Sequence, residues 1–184
     1  MARLMADIED SGCALPEAAR DVFLAMIDTI RSLDTRVGGF DRAIAARARQ
    51  DEDARRLLTV PGVGPVTATA TLALAAPAAS FRSGRDFAAW LGLTPRQRST
   101  GGKERLGSIT KAGERTLRRL LIIGASAVVR HASKHGAPEG SWLAKMLARK
   151  PRMLVTVALA NKTARIIWAL LAKGGVYKAP AMAA

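Results

Sequence analysis

Residues 57–70 decide the fold and read Leu-Leu-Thr-Val-Pro-Gly-Val-Gly-Pro-Val-Thr-Ala-Thr-Ala. Two glycines alternate with apolar residues between two prolines, and a short helical pattern lies on each side. Gly62 and Gly64 can adopt positive φ, and they leave no Cβ between the backbone and an approaching ligand. Pro65 suits the first position of a helix, where outward amide groups bind phosphate readily. The pattern predicts a helix-hairpin-helix that holds a nucleic-acid backbone through Gly62, Val63, Gly64 and Thr67.

The alternative interpretation of this stretch is a tight corner between two helices, in which the glycines serve packing only. The charge favours the nucleic-acid interpretation. The 184-residue chain has a formal charge of +14. Residues 1–54 contain 7 Lys+Arg and 11 Asp+Glu, a net of −4, whereas residues 55–184 contain 22 and 4, a net of +18. The part that begins at the hairpin is therefore expected to bind a polyanion.

The N-terminal part carries a heptad pattern. Its apolar positions are spaced alternately by three and four residues, which predicts a helical stalk that self-associates. Gly38 and Gly39 lie inside the pattern and predict a kink or a break there. A long helix folded back on its own domain is the alternative. The heptad positions are Phe23, Met26, Ile30, Leu33, Val37, Phe40 and Ile44.

The predicted fold is all-α, a compact basic helical domain preceded by the stalk. We assign residues 1–15 to a disordered N-terminus, 16–50 to the stalk, 51–178 to the helix-hairpin-helix domain and 179–184 to a disordered tail. Cys13 is the only cysteine, which indicates a reducing compartment. The sequence shows neither a signal peptide nor an uninterrupted transmembrane segment. We therefore expect a cytoplasmic protein with no membrane partner.

The stretch from Arg96 to Arg105 has the residue types of a phosphoryl-transfer site. It places Ser99 and Thr100 beside two glycines and between four cations, so that a hydroxyl could attack a phosphodiester while the cations offset the developing charge. A solvated loop that only contacts DNA is the alternative. The four cations are Arg96, Arg98, Lys103 and Arg105.

Further candidate phosphate contacts follow the loop, because cations near a helix start can reach one nucleic-acid backbone. His131 and His135 stand four positions apart on a predicted helix, but no third metal ligand is evident nearby, so no metal site is predicted. Trp142 and Trp168 could stack on nucleic-acid bases, but both lie in apolar helical stripes and are expected in the core. The further candidate contacts are Lys111, Arg115, Arg118 and Arg119.

Three blocks of sequence resemble the C-terminal transposase domain of the IS110 group of insertion sequences. They are Val-Pro-Gly-Val-Gly-Pro at the hairpin, Phe-Ala-Ala-Trp-Leu-Gly-Leu-Thr-Pro-Arg-Gln followed by Ser-Thr-Gly-Gly-Lys, and Leu-Arg-Arg-Leu-Leu. The resemblance covers about residues 20–175. It implies that Ser99, or its neighbour Thr100, is a serine-type nucleophile that cuts and rejoins DNA.

The chain departs from that group in one respect. Full-length members carry an N-terminal RuvC-like domain with four acidic metal ligands, and this sequence starts at about the helix that follows it. Magnesium is therefore expected only with that missing domain, and no cofactor is assigned to this chain. Recognition of a structured guide RNA, which the resemblance implies, depends partly on the same domain. We interpret the chain as a truncated copy, an expressed fragment or one part of a split enzyme.

Two functions follow from these patterns. The first is a bacterial insertion-sequence transposase or recombinase domain that binds DNA and acts through a phosphoserine intermediate, weak or inactive without the acidic domain. The alternative is a non-enzymatic helix-hairpin-helix DNA-binding module. A repair glycosylase is disfavoured, because no cysteine cluster and no Lys or Asp at a recognisable catalytic spacing follow the hairpin.

Overall fold

The computed structural model of the protein describes residues 5, 6, 8, 16–97 and 106–178. Those residues form seven complete α-helices, a short 3-10 helix and one two-stranded antiparallel sheet. The predicted all-α class is confirmed. The chain divides into two compact units, Met1–Ile44 and Ala45–Ala184.

Helix α1, Glu17–Gln50, begins in the first unit and continues into the second. The break considered at Gly38 and Gly39 does not occur, because all 34 residues are helical. Two glycines cost a helix about 2 kcal/mol in total, and the many hydrogen bonds of a long cooperative helix outweigh that cost. A Cβ built at either glycine meets nothing within 4 Å.

The heptad positions of α1 lie mainly on exposed surface of the first unit. Phe23, Leu33 and Phe40 are 39%, 52% and 64% exposed, and Met26 and Val37 are exposed as well. Ile27, which is not a heptad position, is the buried apolar side chain of this segment. The predicted seam is thus an apolar stripe with no described side chain covering it along most of its length.

After α1 ends, the second unit continues with two short helices joined by a six-residue turn. Helix α2, Glu52–Leu58, is capped by Asp51, whose side chain accepts a hydrogen bond from the Ala54 amide at 2.9 Å. Residues 59–64 form the turn, and α3, Pro65–Leu74, follows with proline in its first turn. Leu57, Val60 and Val63 are buried, so the turn itself contributes to the core.

A short aromatic segment comes next. After the 3-10 helix Ala78–Ser80, α4 spans Gly84–Trp90, and the Ser83 side chain accepts a hydrogen bond from the Asp86 amide as the capping spacing predicted. Phe81 packs edge-on against Phe87, with ring centroids 5.1 Å apart. These rings join α4 to the core.

Strands β1, Pro95–Gln97, and β2, Leu106–Ile109, pair antiparallel, with Pro95 opposite Ile109 and Gln97 opposite Leu106. The two strands form the stem of a β-hairpin. Residues 98–105, which connect the two strands, lie outside the described part of the chain.

Three further helices complete the second unit. They are α5, Arg115–His135, α6, Trp142–Leu147, and α7, Arg152–Lys173. Helix α7 packs against α4, α5 and α6, and its buried side chains occupy the centre of the unit. The buried residues of the core include Phe87, Leu91, Leu93, Leu117, Leu121, Ala160, Ala164 and Ile167.

Helix α7 is, in the described part of the chain, the one helix long and apolar enough to cross a membrane by length and composition. Val155, Ala160 and Ile167 on this helix have no exposed surface in the folded unit. Their burial among protein side chains favours the role of a core helix.

Candidate nucleic-acid interface

The two glycines of the turn between α2 and α3 have different environments. Gly62 has φ +85° and lies against α5, where an added Cβ would be 2.8 Å from the Gly124 carbonyl oxygen. Gly64 has φ −94° and ψ 177°, an extended conformation open to any residue, so the expectation of positive φ holds for Gly62 alone. The missing side chain of Gly62 therefore serves the close packing of the turn on α5.

Gly64 leaves the N-terminus of α3 open. It is exposed, an added Cβ would meet nothing within 4 Å, and α3 has no side-chain cap. The first amides of an α-helix have no intrahelical acceptor, and Pro65 carries no N–H. The amides of Val66 and Thr67 are therefore the donors that this helix end can offer to an anion.

Two other predicted contacts, Val63 in the turn and Thr67 in α3, are buried. Val63 is 6% exposed, and its amide donates a hydrogen bond to the Val60 carbonyl at 3.0 Å. Thr67 is also 6% exposed, which removes its side chain from the surface. Val63 shapes the turn, and Thr67 can reach a ligand only through its backbone.

The stem of the β-hairpin is held by backbone groups at its base. The Thr110 amide donates to the Thr94 carbonyl at 2.9 Å, and the Lys111 amide donates to the Gly92 carbonyl at 3.1 Å. Gly92, with φ +70°, approaches so closely that an added Cβ would lie 2.1 Å from the Ala112 oxygen. The hairpin therefore leaves the domain from a tightly packed base.

Two of the predicted DNA-binding arginines reinforce this base. Arg96 donates from a terminal guanidinium nitrogen to the Thr110 carbonyl at 3.1 Å. Arg118 donates to the carbonyls of Leu91 and Ala112, at 2.9 and 3.0 Å. Arg96 thus joins the two sides of the hairpin, and Arg118 joins the hairpin base to α4 and α5, roles that the sequence analysis did not identify.

The remaining cations of the predicted site fall into two groups. Lys111, Arg115 and Arg119 are exposed on the second unit. The predicted nucleophile Ser99, its alternative Thr100 and three predicted cations lie outside the described residues. Those cations are Arg98, Lys103 and Arg105.

Glu114 caps α5 and carries a perturbed carboxyl group. Its side chain accepts a hydrogen bond from the Leu117 amide. This bond, with help from groups of Thr116 and the positive charge of Arg118, holds the pKa of the Glu114 carboxyl below its usual range, although partial burial acts in the opposite direction. The charged form of Glu114 therefore stabilises the start of α5, beside Arg115 and Arg118.

His131 and His135 lie side by side on α5, with ring centroids 4.7 Å apart. No group of three or more His, Cys, Asp or Glu side chains with metal-binding spacing occurs among residues 16–97 and 106–178. The pair therefore lacks the third ligand that a protein zinc site requires.

Two residues that support this surface make long-range contacts that no sequence pattern predicts. The contact between Gly124 and Gly62 joins positions 62 apart in the sequence. Asn161, from the middle of α7, donates to the Leu93 carbonyl at 3.0 Å and so also supports the hairpin base. Neither contact belongs to a recognisable motif.

The turn between α2 and α3, the β-hairpin and α5 all lie in a part of the sequence that matches known protein families. A profile of the Transposase IS116/IS110/IS902 family matches residues 54–138. The chain belongs to this transposase family. A probable family 20 transposase of Pseudomonas aeruginosa is 47% identical over 164 residues, which is 89% of this chain and 48% of that protein.

Other relatives give the same result. A putative transposase, y4pF/y4sB, of Sinorhizobium fredii is 43% identical over 169 residues, or 90% of this chain and 43% of that protein. The transposase for insertion sequence element IS1111A of Coxiella burnetii is 39% identical over 145 residues, or 79% of this chain and 40% of that protein. This chain thus spans about half the length of the curated relatives it matches, and the resemblance inferred from its motifs is confirmed.

Proposed function

We propose that this transposase-family chain binds duplex DNA by its backbone, through a helix-hairpin-helix formed by α2, the turn and α3. The observation that carries the proposal is the open N-terminus of α3 at Gly64, where no side chain fills the cap. Uncapped amides at a helix N-terminus favour a phosphate group. Such contacts position a protein on DNA and carry no base information.

The charge of the second unit supports the same proposal. Lys111, Arg115 and Arg119 are exposed, and no ion pair of theirs occurs with another described residue. Residues 55–184 carry a net charge of +18. Cations of this kind release counterions when they neutralise DNA phosphates, which makes affinity depend on salt.

A salt titration tests this binding mode. Fluorescence anisotropy with two labelled duplexes of unrelated sequence should give similar affinities, and log affinity should fall linearly with log salt concentration. The slope should be about −0.9 for each phosphate contacted. An affinity that does not respond to salt, or binding to only one of the two duplexes, would contradict backbone binding.

We further propose that the β-hairpin delivers Ser99 to a DNA phosphodiester. The Ser99 hydroxyl attacks phosphorus and loses its proton, a phosphoserine ester forms, and the bond from phosphorus to the leaving strand breaks as its oxygen takes up a proton. Reversal of these steps rejoins strands without a nucleotide cofactor. The support is the stem of the hairpin, whose base is held by hydrogen bonds from Arg96 and Arg118.

Cations beside the reacting phosphate would offset the negative charge that develops on it. We assign this role to Arg98, Lys103 and Arg105, which lie on either side of Ser99 in the sequence. Arg96 contributes from the stem, where it also holds Thr110. Thr100 is the alternative nucleophile.

Covalent trapping on nicked DNA tests the chemical step. We expect a protein–DNA adduct when the acidic RuvC-like domain of a longer relative and magnesium are supplied with this chain. Ser99→Ala should abolish the adduct, while Thr100→Ala should retain it. Loss of the adduct in Thr100→Ala alone would assign the nucleophile to Thr100. Adducts of equal yield in the two variants would contradict the assignment to either hydroxyl alone.

The non-enzymatic DNA-binding module remains the second candidate. The observation in its favour is that Arg96 and Arg118 both use guanidinium nitrogens on protein carbonyls, which takes donors away from a reacting phosphate. A reconstituted mixture that binds DNA, contains the acidic domain and still forms no adduct would favour this candidate. We expect the protein in the bacterial cytoplasm in either case.

We also propose that α1 forms a homo-oligomer through residues 23–44, with a second copy of the chain as the occupant. Side chains at the heptad positions Phe23, Leu33 and Phe40 are 39–64% exposed along one stripe. A sustained heptad repeat is the pattern that two helices bury together. Light scattering should give a dimer or larger assembly, and a monomer at high protein concentration would contradict it.

A structured guide RNA and magnesium belong to the same proposal as partners of the longer enzyme. The residues of this chain that the structure describes form no acidic cluster able to hold the metal. The magnesium site is therefore assigned to the RuvC-like domain. RNA binding by this chain alone should be weaker than binding by the two domains together.

A further inference from the structure

A second basic surface of the Ala45–Ala184 unit surrounds an open cavity of about 690 Å³ between α4, α6 and α7. Arg85 contributes from α4, Trp142 from α6, and Lys162, Arg165 and Trp168 from α7. This volume is in the range of cavities that hold small ligands. The surface is distinct from the β-hairpin and from the turn at Gly64.

The cations of this cavity are not neutralised by the protein. Arg85, Lys162 and Arg165 form no salt bridge with any residue in the described part of the chain, and the carboxylates are absent from the cavity lining. Burial, together with the charge of Arg165, lowers the pKa of the Lys162 amine. The repulsion between Lys162 and Arg165 means that an anion bound between them would be favoured.

The two indoles of the cavity are held in place. The Trp168 ring nitrogen donates to the Ala78 carbonyl at 3.0 Å, which fixes that ring as a wall. The Lys162 amine lies 4.6 Å from the centroid of the Trp142 ring. Because the amine lies over one face of the ring, a base that stacks on this face takes the place of the amine, which can turn to the phosphate. The sequence analysis expected both tryptophans in the core, but both are only partly buried.

We propose that this cavity binds one unpaired nucleotide of a nucleic-acid strand, with its phosphate on Arg85, Lys162 and Arg165 and its base against Trp142. Cationic grooves with aromatic side chains are typical of single-strand binding, because every base has a face that can stack. An acidic peptide would satisfy the cations and leave the indoles unused. The inference rests on the proposed function only in taking nucleic acid as the partner.

The cavity is also connected to the hairpin base. Asn161 lines the cavity. Its side chain donates a hydrogen bond to the carbonyl of Leu93, two residues before β1 begins. Gly84 at the other side packs so closely on α7 that an added Cβ would lie 3.0 Å from the Arg165 carbonyl oxygen. The Asn161 contact places the cavity next to the hairpin base, where a strand displaced near the β-hairpin could reach it.

The test compares a labelled oligothymidine with a labelled duplex, using the purified chain and anisotropy together with tryptophan fluorescence. Lys162→Met and Trp142→Leu should each weaken oligothymidine binding about tenfold or more, a loss typical of stacking and phosphate contacts. Duplex affinity should change by less than about twofold. Lys145→Met, an exposed cation on α6 outside the cavity, is the matched control and should bind both ligands normally. Circular dichroism verifies that the variants fold.

Three results would overturn the inference. They are unchanged oligothymidine binding in both cavity variants, equal losses for duplex and single strand, and displacement of the oligothymidine by oligoglutamate at lower concentration than by unlabelled oligothymidine. Gly64→Val separates the two proposals, because it should weaken the duplex and leave the single strand bound. If cavity variants lose the single strand while Gly64→Val leaves duplex affinity unchanged, the turn assignment fails and the cavity assignment stands.

Discussion

Gly62 and Gly124 pack backbone against backbone, so that a Cβ added to Gly124 would lie 1.9 Å from the Gly62 carbonyl oxygen. The reciprocal Cβ, on Gly62, would lie 2.8 Å from the Gly124 oxygen. This contact seats the turn between α2 and α3 on the middle of α5. The orientation of the open α3 N-terminus thus depends on a residue that contacts no ligand.

Gly124→Ala is expected to destabilise the domain. The new methyl group cannot avoid a backbone oxygen without moving the turn or α5, and overpacking of this kind costs about 1–3 kcal/mol. Urea denaturation followed by circular dichroism measures the free energy of unfolding. Gly64→Ala is the matched control, because its Cβ meets open space and its φ of −94° suits alanine. Equal stability of the two variants would contradict the close contact.

Gly38→Ala and Gly39→Ala should stabilise α1. Both positions are helical, neither has a neighbour within 4 Å of an added Cβ, and alanine favours a helix interior over glycine by about 1 kcal/mol per residue. The measurement is the thermal transition of helical circular dichroism, compared between the wild type and each variant. A lower midpoint in both variants would show that the helix bends or breaks at these glycines in solution.

Arg118→Leu should loosen the base of the β-hairpin. The substitution leaves the Leu91 and Ala112 carbonyls without their donor, and loss of hydrogen bonds to a charged group costs about 1.5–3 kcal/mol. Hydrogen exchange should accelerate at Lys111, whose amide closes the stem. Arg119→Leu, the exposed neighbour, should leave that exchange rate unchanged and reduce DNA affinity only. Equal protection of Lys111 in both variants would disprove the anchoring role.

Acid should destabilise the start of α5 through Glu114. Its folded-state pKa is lowered, so its stabilising contribution is present above the unfolded pKa and is lost as pH falls through the folded value. Glu114→Gln should therefore reduce the free energy of unfolding at neutral pH and have a smaller effect at an acidic pH below the folded-state pKa, where the wild-type carboxyl is protonated. Denaturation at the two pH values gives the comparison. A deficit of the same size at both would exclude a role for the carboxylate charge.

The sequence predicted well those features that depend on neighbouring residues. The helix start at Pro65, the Ser83 cap and the helix stop at Gly174 follow from local chemistry. Helix α5 continues to His135, because no residue between Val129 and Gly136 breaks a helix.

Features that depend on residues distant in the sequence were not predictable in this way. Arg118 reads as a surface cation on α5, yet it bonds to Leu91, which is 27 positions away. Val63 reads as a turn residue between glycines, but its side chain enters a core formed by several other segments. The cavity cations Arg85 and Lys162 come from helices separated by most of the domain, and no spacing rule connects them.

The central claim is that the N-terminus of α3 binds the DNA backbone. The affinity of the Gly64→Val variant for two duplexes of unrelated sequence tests this claim most directly. A Cβ at Gly64 meets nothing within 4 Å in the folded protein, so we expect the valine side chain to act by blocking close approach of a phosphate to the α3 amides. Ala73→Val, an exposed position near the other end of α3, is the control for added bulk on the same helix. The account predicts that Gly64→Val weakens both duplexes equally, while Ala73→Val binds as the wild type does. Wild-type affinity in Gly64→Val, or weakening of one sequence only, would contradict it.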